Sequence, residues 1–282
     1  MKVSFIVVNY FTETYINNLI ISIQKFCHFD YEVIIVDNGS HDTTGLNYFH
    51  NVKIIQPPRN LGFGQGNNLG VLHSRGEYLI IINPDIQMTN KTNIPEMIEY
   101  LEREERVGVV SPLLVNSDQS INRNWHPRVN AFRLFLSLAG FNTLINRVNF
   151  RIPCHVGQLD GAFMLLTKNL YIKLGGFDPA YFMYYEDVDF FEKLKREGFH
   201  ACLLKNYTAI HIGSVTSGKS LVNVIDHYLT SLVIFLKKWN KPKLLYLSVI
   251  KAALFIRMTM YALFRKPEDA RIIKERMRTL IW

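Results

Sequence analysis

Through its first half the chain alternates short β-branched segments with segments of helical periodicity, and this alternation most limits the folds open to it. Strands are predicted at 3–8, 32–36, Val52–Ile55, Tyr78–Ile82 and 107–114, and helices at 13–26, 66–74 and 94–104. Strands that alternate with helices indicate βαβ units and a parallel sheet. The sequence therefore predicts an α/β fold, with a single Rossmann-like, mostly parallel sheet flanked by helices.

Polar side chains follow three of these strands at the point where each ends. Asn9 and Tyr10 follow the first strand, Asp37 the second, and Asn83 and Asp85 the fourth. Turn formation explains any one of these ends, because Asn and Asp favour turns. Ligands of open α/β sheets bind beyond the carboxyl ends of the strands. Three polar ends at one edge therefore predict a binding site there.

Asp85 ends the buried-looking run "LIII" and is presented by Pro84. Such a carboxylate suits a divalent cation, since Mg²⁺ takes a few carboxylates and completes its shell with phosphate and water. The position two residues earlier is Asn83, so an Asp-x-Asp pair is incomplete. His211 is the candidate second ligand, because a neutral imidazole binds metals. The alternative for His211 is an ordinary satisfied polar residue.

A second acidic cluster, "YYEDVDFF", opens a predicted helix over Glu186–Arg196. Helix capping explains one or two acids at a helix start. It does not explain the aromatic residues on both sides, which suit the faces of sugars. Asp187 is the predicted general base of this cluster, because a carboxylate at a helix N-terminus stays ionised.

The glycine-rich stretch "RNLGFGQGNN" at 59–68 opens another predicted helix. Backbone amides at a helix start attract phosphate. The stretch does not match G-x-G-x-x-G and does not directly follow the first strand, which disfavours a dinucleotide fingerprint.

Between 116 and 156 the pattern is irregular and indicates a loop-rich insertion, with Trp125 in it and an apolar patch at 132–144. Strands are predicted again at 162–167 and 199–204. Cys27, Cys154 and Cys202 show neither metal-ligand spacing nor a disulfide framework, which fits a reducing compartment. The apolar run at the N-terminus is too short for a signal sequence. We expect the body to be cytoplasmic.

The C-terminal part differs in charge from the rest. From 237 to 282 there are 12 Lys and Arg against 3 Asp and Glu, which leaves 20 against 21 elsewhere, for a total of +8. Helices are predicted at 221–239, 243–264 and 267–281. The middle one has the length of a membrane span, but Lys251 and Arg257 interrupt it. A basic amphipathic extension lying on a membrane surface is expected, with a helical cover or dimer contact as the alternative. Nucleic acid is not an expected partner, because the folded body carries no basic excess.

Seven segments, in this order, resemble the family 2 glycosyltransferases, and most closely their bacterial rhamnosyltransferase-like members. They are "FIVVNY", "IIVDNGS", "NLGFGQGNNLG", "GEYLIIINPDI", "LDGAFMLL", "LGGFDPAYFMYYEDVDF" and "AIHIGS". The resemblance spans about 3–235 and leaves the tail uncovered. It implies a GT-A fold, a nucleoside diphosphate sugar donor and a divalent cation, Mg²⁺ or Mn²⁺. The incomplete Asp-x-Asp at Asn83 is where this chain departs from the family pattern.

The resemblance also implies a role for each matching residue. The nucleotide-sugar site would comprise Asn9, Tyr10, Asp37, Asn60, Gly64, Asn67, Asn83 and Asp85, with Asp37 reading the pyrimidine. Metal ligands would be Asp85 and His211. Asp187 would be the catalytic base, with Glu186 beside it. Asp160 and Gly161 would form the wall of the acceptor and sugar site, and we expect Tyr184 and Trp125, the latter from the loop-rich insertion, to belong to the same wall.

The predicted function is an inverting transfer of L-rhamnose from dTDP-L-rhamnose to a lipid-linked glycan acceptor in O-antigen or capsule synthesis. UDP-galactose, UDP-glucose and UDP-GlcNAc are the alternative donors. A nucleotidyltransferase would share the fold and metal, but no Lys-containing glycine loop follows the first strand. A non-catalytic binding subunit would not need Asp85, Asp187 and His211 together.

The predicted organisation is a catalytic domain at 1–220, with nucleotide-binding and acceptor-binding halves at 1–115 and 116–220. The helical extension at 221–282 would hold the enzyme on the cytoplasmic face of the inner membrane. A homodimer is the other arrangement that this extension could support.

Overall fold

The structure, a computed structural model, describes residues 2–40, 50–141, 154–213, 221–264 and 267–279. These form two compact units. The first contains the described residues up to 127 and those from 154 to 213, and the second contains 128–141 and the described residues from 221 onward. The helices after 220 thus group with a short segment from the middle of the chain, which sequence periodicity does not reveal.

Eleven strands are found in the first unit: β1 (Lys2–Asn9), β2 (Asp30–Asp37), β3 (Val52–Ile55), β4 (Tyr78–Ile82), β5 (Ile86–Gln87), β6 (Val107–Val115), β7 (Trp125–His126), β8 (His155–Val156), β9 (Gln158–Leu159), β10 (Phe163–Thr167) and β11 (His200–His211). Nine of them form one sheet in the order β3-β2-β1-β4-β10-β6-β11-β5, with β8 paired to β11. β3, β2, β1 and β4 are parallel, as are β6 and β11, whereas β10 and β5 run antiparallel to their neighbours.

Five helices belong to this unit: α1 (Glu13–Phe26), α2 (Gly62–Leu72), α3 (Ile94–Arg103), α5 (Lys168–Lys173) and α6 (Glu186–Arg196). All five residues of β4 are buried, as a central strand covered on both faces should be. Phe5 and Val7 pack with α1 and α3 on one face of the sheet. Ile6 and Ile34 pack with α2, α5 and α6 on the other. The sheet is therefore the middle layer of three.

The antiparallel strand β10 brings a second part of the chain to the edge of the sheet where β4 ends. Phe163 pairs with Ile82 at the end of β4, and the N–H of Asn83 donates to the carbonyl of Ala162 at 2.9 Å. An antiparallel strand begins where its neighbours end. Asp160 and Gly161, just before β10, therefore lie beside the end of β4.

Two predictions for the middle of the chain need correction. The predicted loop-rich insertion contains β7, which pairs with β9, and a helix, α4 (Ala131–Leu138). Residues 142–144 of its predicted apolar patch lie outside the described residues. The strand predicted at 199–204 continues to His211, because β11 resumes its pairing with β6 after an irregularity between Leu204 and Thr208.

The expectation that the cysteines form no disulfide is wrong for one pair. Cys154 and Cys202 are joined by a disulfide, with their Cα atoms 5.1 Å apart. The two residues are 48 positions apart, and only the pairing of β8 with β11 brings them together. Cys27 is buried and free. Cysteine usage therefore no longer argues for a reducing compartment.

The second unit contains α4 and three C-terminal helices, α7 (Leu221–Lys238), α8 (Lys243–Leu263) and α9 (Pro267–Thr279). α8 packs against α4 and α9. Arg276 of α9 donates to Asp226 of α7 at 2.8 Å. Among the described residues, α8 is the one helix whose length and composition would allow it to cross a membrane. Positions 280–281 of the predicted last helix lie outside the described residues.

Candidate active site

Asn9 and Asp37 face each other at the ends of β1 and β2, where they are register partners. Both side chains are buried. The Asn9 amide donates to Asp37 Oδ1 at 3.2 Å and to Ser40 Oγ at 2.7 Å, and the Ser40 N–H donates to the same carboxylate oxygen at 3.1 Å. Gln56 Nε2 lies 3.4 Å from Asp37 Oδ2. These bonds fix Asp37 as an acceptor at the sheet edge.

Tyr10 follows Asn9 and is 46% exposed. Its ring lies edge-on to that of Phe11, with the centroids 4.8 Å apart. An exposed aromatic ring one residue after Asn9, the register partner of Asp37, is a suitable stacking surface for a nucleobase. Its position agrees with the predicted nucleotide site.

The glycine-rich turn before α2 is bonded to the protein itself. Gly62 has φ +76°, and its N–H donates to Asn60 Oδ1 at 2.8 Å. The N–H of Phe63 donates to the carbonyl of Phe182 at 3.1 Å, and Asn38 Nδ2 donates to the carbonyl of Gly62 at 2.9 Å. Two of the amides on which the phosphate-binding prediction depends are therefore already engaged. Asn60 caps the turn, and Asn38, which sequence reasoning missed, ties it to β2.

Gly64 and Asn67 of α2 lie in the interior. A Cβ on Gly64 would stand 3.1 Å from Phe177 and 3.3 Å from Glu186, so the glycine permits close packing of α2. Asn67 is fully buried, and its amide donates to the carbonyl of Phe63 at 2.9 Å. Its Oδ1 has no hydrogen-bond partner within the described structure. Both positions lie within the packing of α2, and the ligand contacts expected of them remain predictions.

Asp85 and His211 meet although 126 positions separate them in the sequence. β5 pairs antiparallel with the end of β11, with His211 opposite Ile86. His211 Nε2 lies 3.3 Å from Asp85 Oδ2, and the N–H of Gly213 donates to the same oxygen at 3.1 Å. Both side chains are largely buried, at 7% and 18% exposure. The structure thus brings the two predicted metal ligands together.

This donor set fits a divalent cation. Carboxylate oxygens suit Mg²⁺ and Mn²⁺, and imidazole is a ligand for later transition metals as well. Two protein ligands leave room for the diphosphate and water oxygens that such ions retain in nucleotide sites. Asn83 is engaged through its backbone, with its carbonyl accepting from the N–H of Ile86 at 3.2 Å. Asp85 and His211 are the pair that would hold the ion.

Glu186 and Asp187 begin α6 with unlike environments. Glu186 is 6% exposed, and burial, with the charge of Asp187 added, raises its pKa to about 8. Asp187 is partly buried and accepts from the N–H of Gly161 at 3.3 Å and of Val188 at 2.7 Å. Burial and then the charge of Asp160 raise the pKa of Asp187 to about 6, against the lowering effect of these amides. Near neutral pH the pair holds one ionised carboxylate, at Asp187.

Asp160 and His126 lie next to this pair, at the ends of β9 and β7. His126 Nε2 is 2.9 Å from Asp160 Oδ1, and both side chains are partly exposed. Burial alone would lower the pKa of His126, but the hydrogen bond and charge of Asp160 outweigh it and raise that pKa. The His126 cation in turn lowers the pKa of Asp187. His126 is thus linked to the predicted base through charge.

The sequence predicts Trp125 as a site residue but does not single out His126 beside it. The contact depends on the pairing of β7 with β9, two strands of two residues each. Strands this short carry no periodicity by which a sequence reveals them. Trp125 itself is only 7% exposed and belongs to the hydrophobic core, with the Arg123 guanidinium 5.4 Å from its ring centre.

The third acid of the cluster, Asp189, is a structural residue. It is fully buried, within 3.4 Å of the Tyr181 hydroxyl and 3.8 Å of the Lys193 ammonium. Tyr184 and Tyr185 precede the acids with φ values of +69° and +66°. Two consecutive non-glycine residues in the left-handed region are uncommon and are retained where the surrounding structure dictates them. This turn aims the start of α6 at Gly161.

Comparisons with known proteins agree with this geometry. The family model described as Glycosyl transferase family 2 matches residues 4–175. The low-salt glycan biosynthesis hexosyltransferase Agl10 of Haloferax volcanii is 26% identical over 259 residues, covering 88% of this chain and 81% of that protein. The N-acetylglucosaminyl-diphospho-decaprenol L-rhamnosyltransferase of Mycobacterium tuberculosis is 25% identical over 243 residues, covering 74% and 77%.

Among solved structures, the mannosyltransferase PcManGT from Pyrobaculum calidifontis, in complex with GDP-Man and Mn²⁺, matches with a TM-score of 0.60 at 16% identity. The match covers 97% of this chain and 78% of that one. This likeness confirms the predicted GT-A fold. The match to the family model includes every predicted site residue from Asn9 to Gly161 and ends before Asp187 and His211.

Proposed function

The chain belongs to glycosyl transferase family 2 and is a glycosyltransferase, and we propose that it transfers a sugar from a nucleoside diphosphate donor to a lipid-linked glycan with inversion at the anomeric carbon. The observation that carries this proposal is the position of Asp187, a partly buried carboxylate with a raised pKa at the edge where Asp37 ends β2 and Asp85 follows β4. A base with a pKa near the working pH is what direct displacement by a hydroxyl needs.

The donor nucleotide would lie against the ends of β1 and β2. The fixed carboxylate of Asp37 can accept the ring N–H of a pyrimidine base, and Tyr10 offers its exposed ring for stacking. The sugar diphosphate would then extend toward Asp85 and His211. A metal bound by these two residues would stabilise the negative charge of the departing diphosphate.

Asp187 would take the proton from the acceptor hydroxyl as that oxygen attacks the anomeric carbon. The amides of Gly161 and Val188 hold its carboxylate in place through two hydrogen bonds. Glu186, whose pKa is raised to about 8, stays protonated near neutral pH. It therefore adds no second negative charge beside the base. The displacement is a single step, so no covalent sugar–enzyme intermediate forms.

L-Rhamnose from dTDP-L-rhamnose is the preferred donor sugar in this proposal. The sequence resemblance and the mycobacterial relative, whose name specifies an L-rhamnosyltransferase acting on a diphospho-decaprenol glycan, support it. The archaeal relative is named a hexosyltransferase, which keeps UDP-galactose, UDP-glucose and UDP-GlcNAc as alternatives. O-antigen or capsule synthesis would be the pathway.

Thermal-shift measurements test the donor site directly. A nucleoside diphosphate should raise the melting temperature of the wild-type chain when Mn²⁺ or Mg²⁺ is present and lose that effect in EDTA, because bound ligand stabilises the folded state. Asp85→Asn and His211→Ala should each abolish the metal-dependent part. His73→Ala, a change at an exposed histidine away from this edge, is the control. An equal shift in EDTA, or an unchanged one in His211→Ala, would refute the metal assignment.

The C-terminal unit would hold the enzyme on the cytoplasmic face of the inner membrane. α8 buries one stripe, containing Tyr246 and Ile250, within its own unit. Its other face exposes Leu244 at 80% and Phe255 at 55%, next to the exposed Lys251. Apolar side chains flanked by cations are the pattern of a helix that lies in the membrane interface.

Vesicle sedimentation tests the proposed membrane contact of the C-terminal unit. The full chain should sediment with vesicles containing phosphatidylglycerol and less with purely zwitterionic ones. The pair Leu244→Glu and Phe255→Glu, both at exposed positions, should remain folded and stay in the supernatant. A chain ending at Trp239 that still sediments would count against membrane contact. A change from dimer to monomer in the Glu variants, without any vesicle effect, would instead assign the helices to a homodimer.

A further inference from the structure

Two cysteines and two histidines meet where β8 pairs with β11, away from the active-site edge. The strands are antiparallel, with His155 opposite Cys202. The carbonyl of Cys154 accepts from the N–H of Leu203 at 2.8 Å, which fixes the chain just before β8. Four side chains that bind transition metals are thereby gathered from positions 154–155 and 200–202.

The ligating atoms of this cluster are close together. The sulfurs of Cys154 and Cys202 and a ring nitrogen of His155 all lie within 4.8 Å of one another. The rings of His155 and His200 meet edge to plane, with the centroids 4.5 Å apart. Zn–S and Zn–N bonds of about 2.3 and 2.0 Å place tetrahedral ligands about 3.3 to 3.8 Å apart. Once the disulfide is opened, the three atoms of Cys154, His155 and Cys202 need only small side-chain shifts to reach the spacing of a zinc site.

We propose that the dithiol form of this cluster binds Zn²⁺ through Cys154, His155 and Cys202, and that the His200 ring, which lies edge-on to that of His155, turns to supply the fourth ligand. Two thiolates and two imidazoles form a soft donor set that favours zinc over Mg²⁺ or Mn²⁺. The two thiolate charges also balance that of the ion. The disulfide in the structure joins the same two sulfurs, so zinc binding requires the cysteines to be reduced.

Tyr100 of α3 supports the site from outside the ligand shell. Its hydroxyl lies 3.4 Å from Cys154 Sγ and 3.4 Å from Cys202 Sγ. A hydroxyl donor to metal-bound thiolates orients them and stabilises their charge, as outer contacts of metal sites commonly do. Cys202 is buried, whereas Cys154 and His155 are exposed, so an ion can enter from solvent.

The zinc site would be structural and separate from the donor-metal site. The cluster lies at the beginning of β11, and His211 is the last residue of that twelve-residue strand. At about 3.3 Å per residue the two ends are roughly 35 Å apart along the strand. Zinc would fasten β8 to β11, and β8 leads within four residues to Asp160. Its loss should lower stability and loosen the acceptor side of the site without removing a reacting group.

Metal analysis of the full chain tests the site without any substrate. The protein, purified anaerobically with a phosphine reductant, is incubated with ZnCl₂, desalted and analysed for zinc. We expect one zinc per chain that persists in Asp85→Asn and in Cys27→Ser, which removes the free cysteine. Cys154→Ser and Cys202→Ser should lose it, and His155→Asn should bind at least tenfold more weakly in competition with a chromophoric chelator.

Cobalt provides a second readout that needs no variant. Co²⁺ bound to the reduced wild-type chain should show thiolate-to-cobalt charge-transfer absorption and intense tetrahedral d–d bands. Reduced protein that takes up no zinc, zinc that remains in Cys202→Ser, or bound cobalt without the charge-transfer band would each overturn the proposal. The last two results would place any bound metal elsewhere, including at Asp85 and His211.

Discussion

Replacing Asp187 with asparagine separates the catalytic role of this residue from any structural one. Removing a base with a raised pKa should lower activity and increase stability, whereas removing a structural carboxylate should decrease stability. As the base, Asp187 contributes about a hundredfold or more to the rate, and the variant should lose that factor. The same change removes a carboxylate whose ionised form is disfavoured in the folded state. The variant should therefore be far less active and, above pH 6, more stable than the wild type.

The size of the stability effect follows from the two pKa values. Burial and Asp160 raise the pKa of Asp187 from 3.8 to about 6. At about 1.4 kcal/mol per pH unit between those values, ionisation of the folded protein costs up to about 3 kcal/mol. A raised folded pKa means that the stability it contributes is present below pH 3.8 and lost as the pH rises through 6. Asparagine avoids that loss.

The variant also weakens one hydrogen bond. An asparagine side chain has one acceptor oxygen and cannot accept from both Gly161 and Val188, which costs about 1 kcal/mol. The net gain at pH 8 is then about 2 kcal/mol, or an increase of about 4 °C in melting temperature for a domain of this size. At pH 4 only the lost hydrogen bond remains, and the variant should melt slightly below the wild type.

The assay combines melting curves at pH 4, 6 and 8 with release of nucleoside diphosphate from the donor in the presence of acceptor. Glu192→Gln removes a carboxylate of the same helix outside the site and serves as the control. A variant that keeps more than half of the wild-type kcat would refute the base assignment. A melting-temperature difference between variant and wild type that is independent of pH would refute the raised pKa.

Two further predictions concern the pH profile of a His126 variant and the stability of two glycine variants. His126→Asn removes the cation that lowers the pKa of Asp187, so the acidic limb of the kcat/KM profile should move to higher pH; an unmoved limb would separate His126 from the base. Gly62→Ala and Gly175→Ala both place a side chain at positive φ, which costs about 1 to 2 kcal/mol. A Cβ at Gly62 would also stand 2.0 Å from the carbonyl oxygen of Phe182, whereas Gly175 has open space. Denaturant unfolding should therefore show a clearly larger loss for Gly62→Ala, and equal losses would contradict the close approach of this turn to Phe182.

The parallel core and its polar strand ends could be predicted because they depend on local pattern. Buried strands such as β4 consist of large apolar residues, and their ends stand out where a polar residue follows. The sequence also pointed to Asp85 and His211 as the two metal ligands. It could not show that β5 and β11 would pair, which puts the two side chains 3.3 Å apart.

The burial and contacts of each side chain distinguish site residues from structural ones where the residue type alone does not. The sequence predicts Asp187 as the base among three acids in four residues, and the structure gives the physical difference, because Asp189 is enclosed beside Tyr181 while Asp187 accepts from Gly161. Asn67 has the residue type of a ligand contact but lies inside the packing of α2. Burial of this kind depends on tertiary packing, such as that of α2 at Gly64 against Phe177 and Glu186, which no local periodicity encodes.

The direction of β10 has a consequence for changing this enzyme. Because β10 is hydrogen-bonded to β4, the residues that precede it are spaced from Asp85 by the sheet itself, not by a flexible connection. On the proposed function, a graft that replaces the chain between Asn116 and Gln158, while keeping β10, would exchange residues of the acceptor side, including His126, without moving Asp85. The sheet thus fixes the spacing between Asp85 and the residues that precede β10, so these two parts of the site can be altered one at a time.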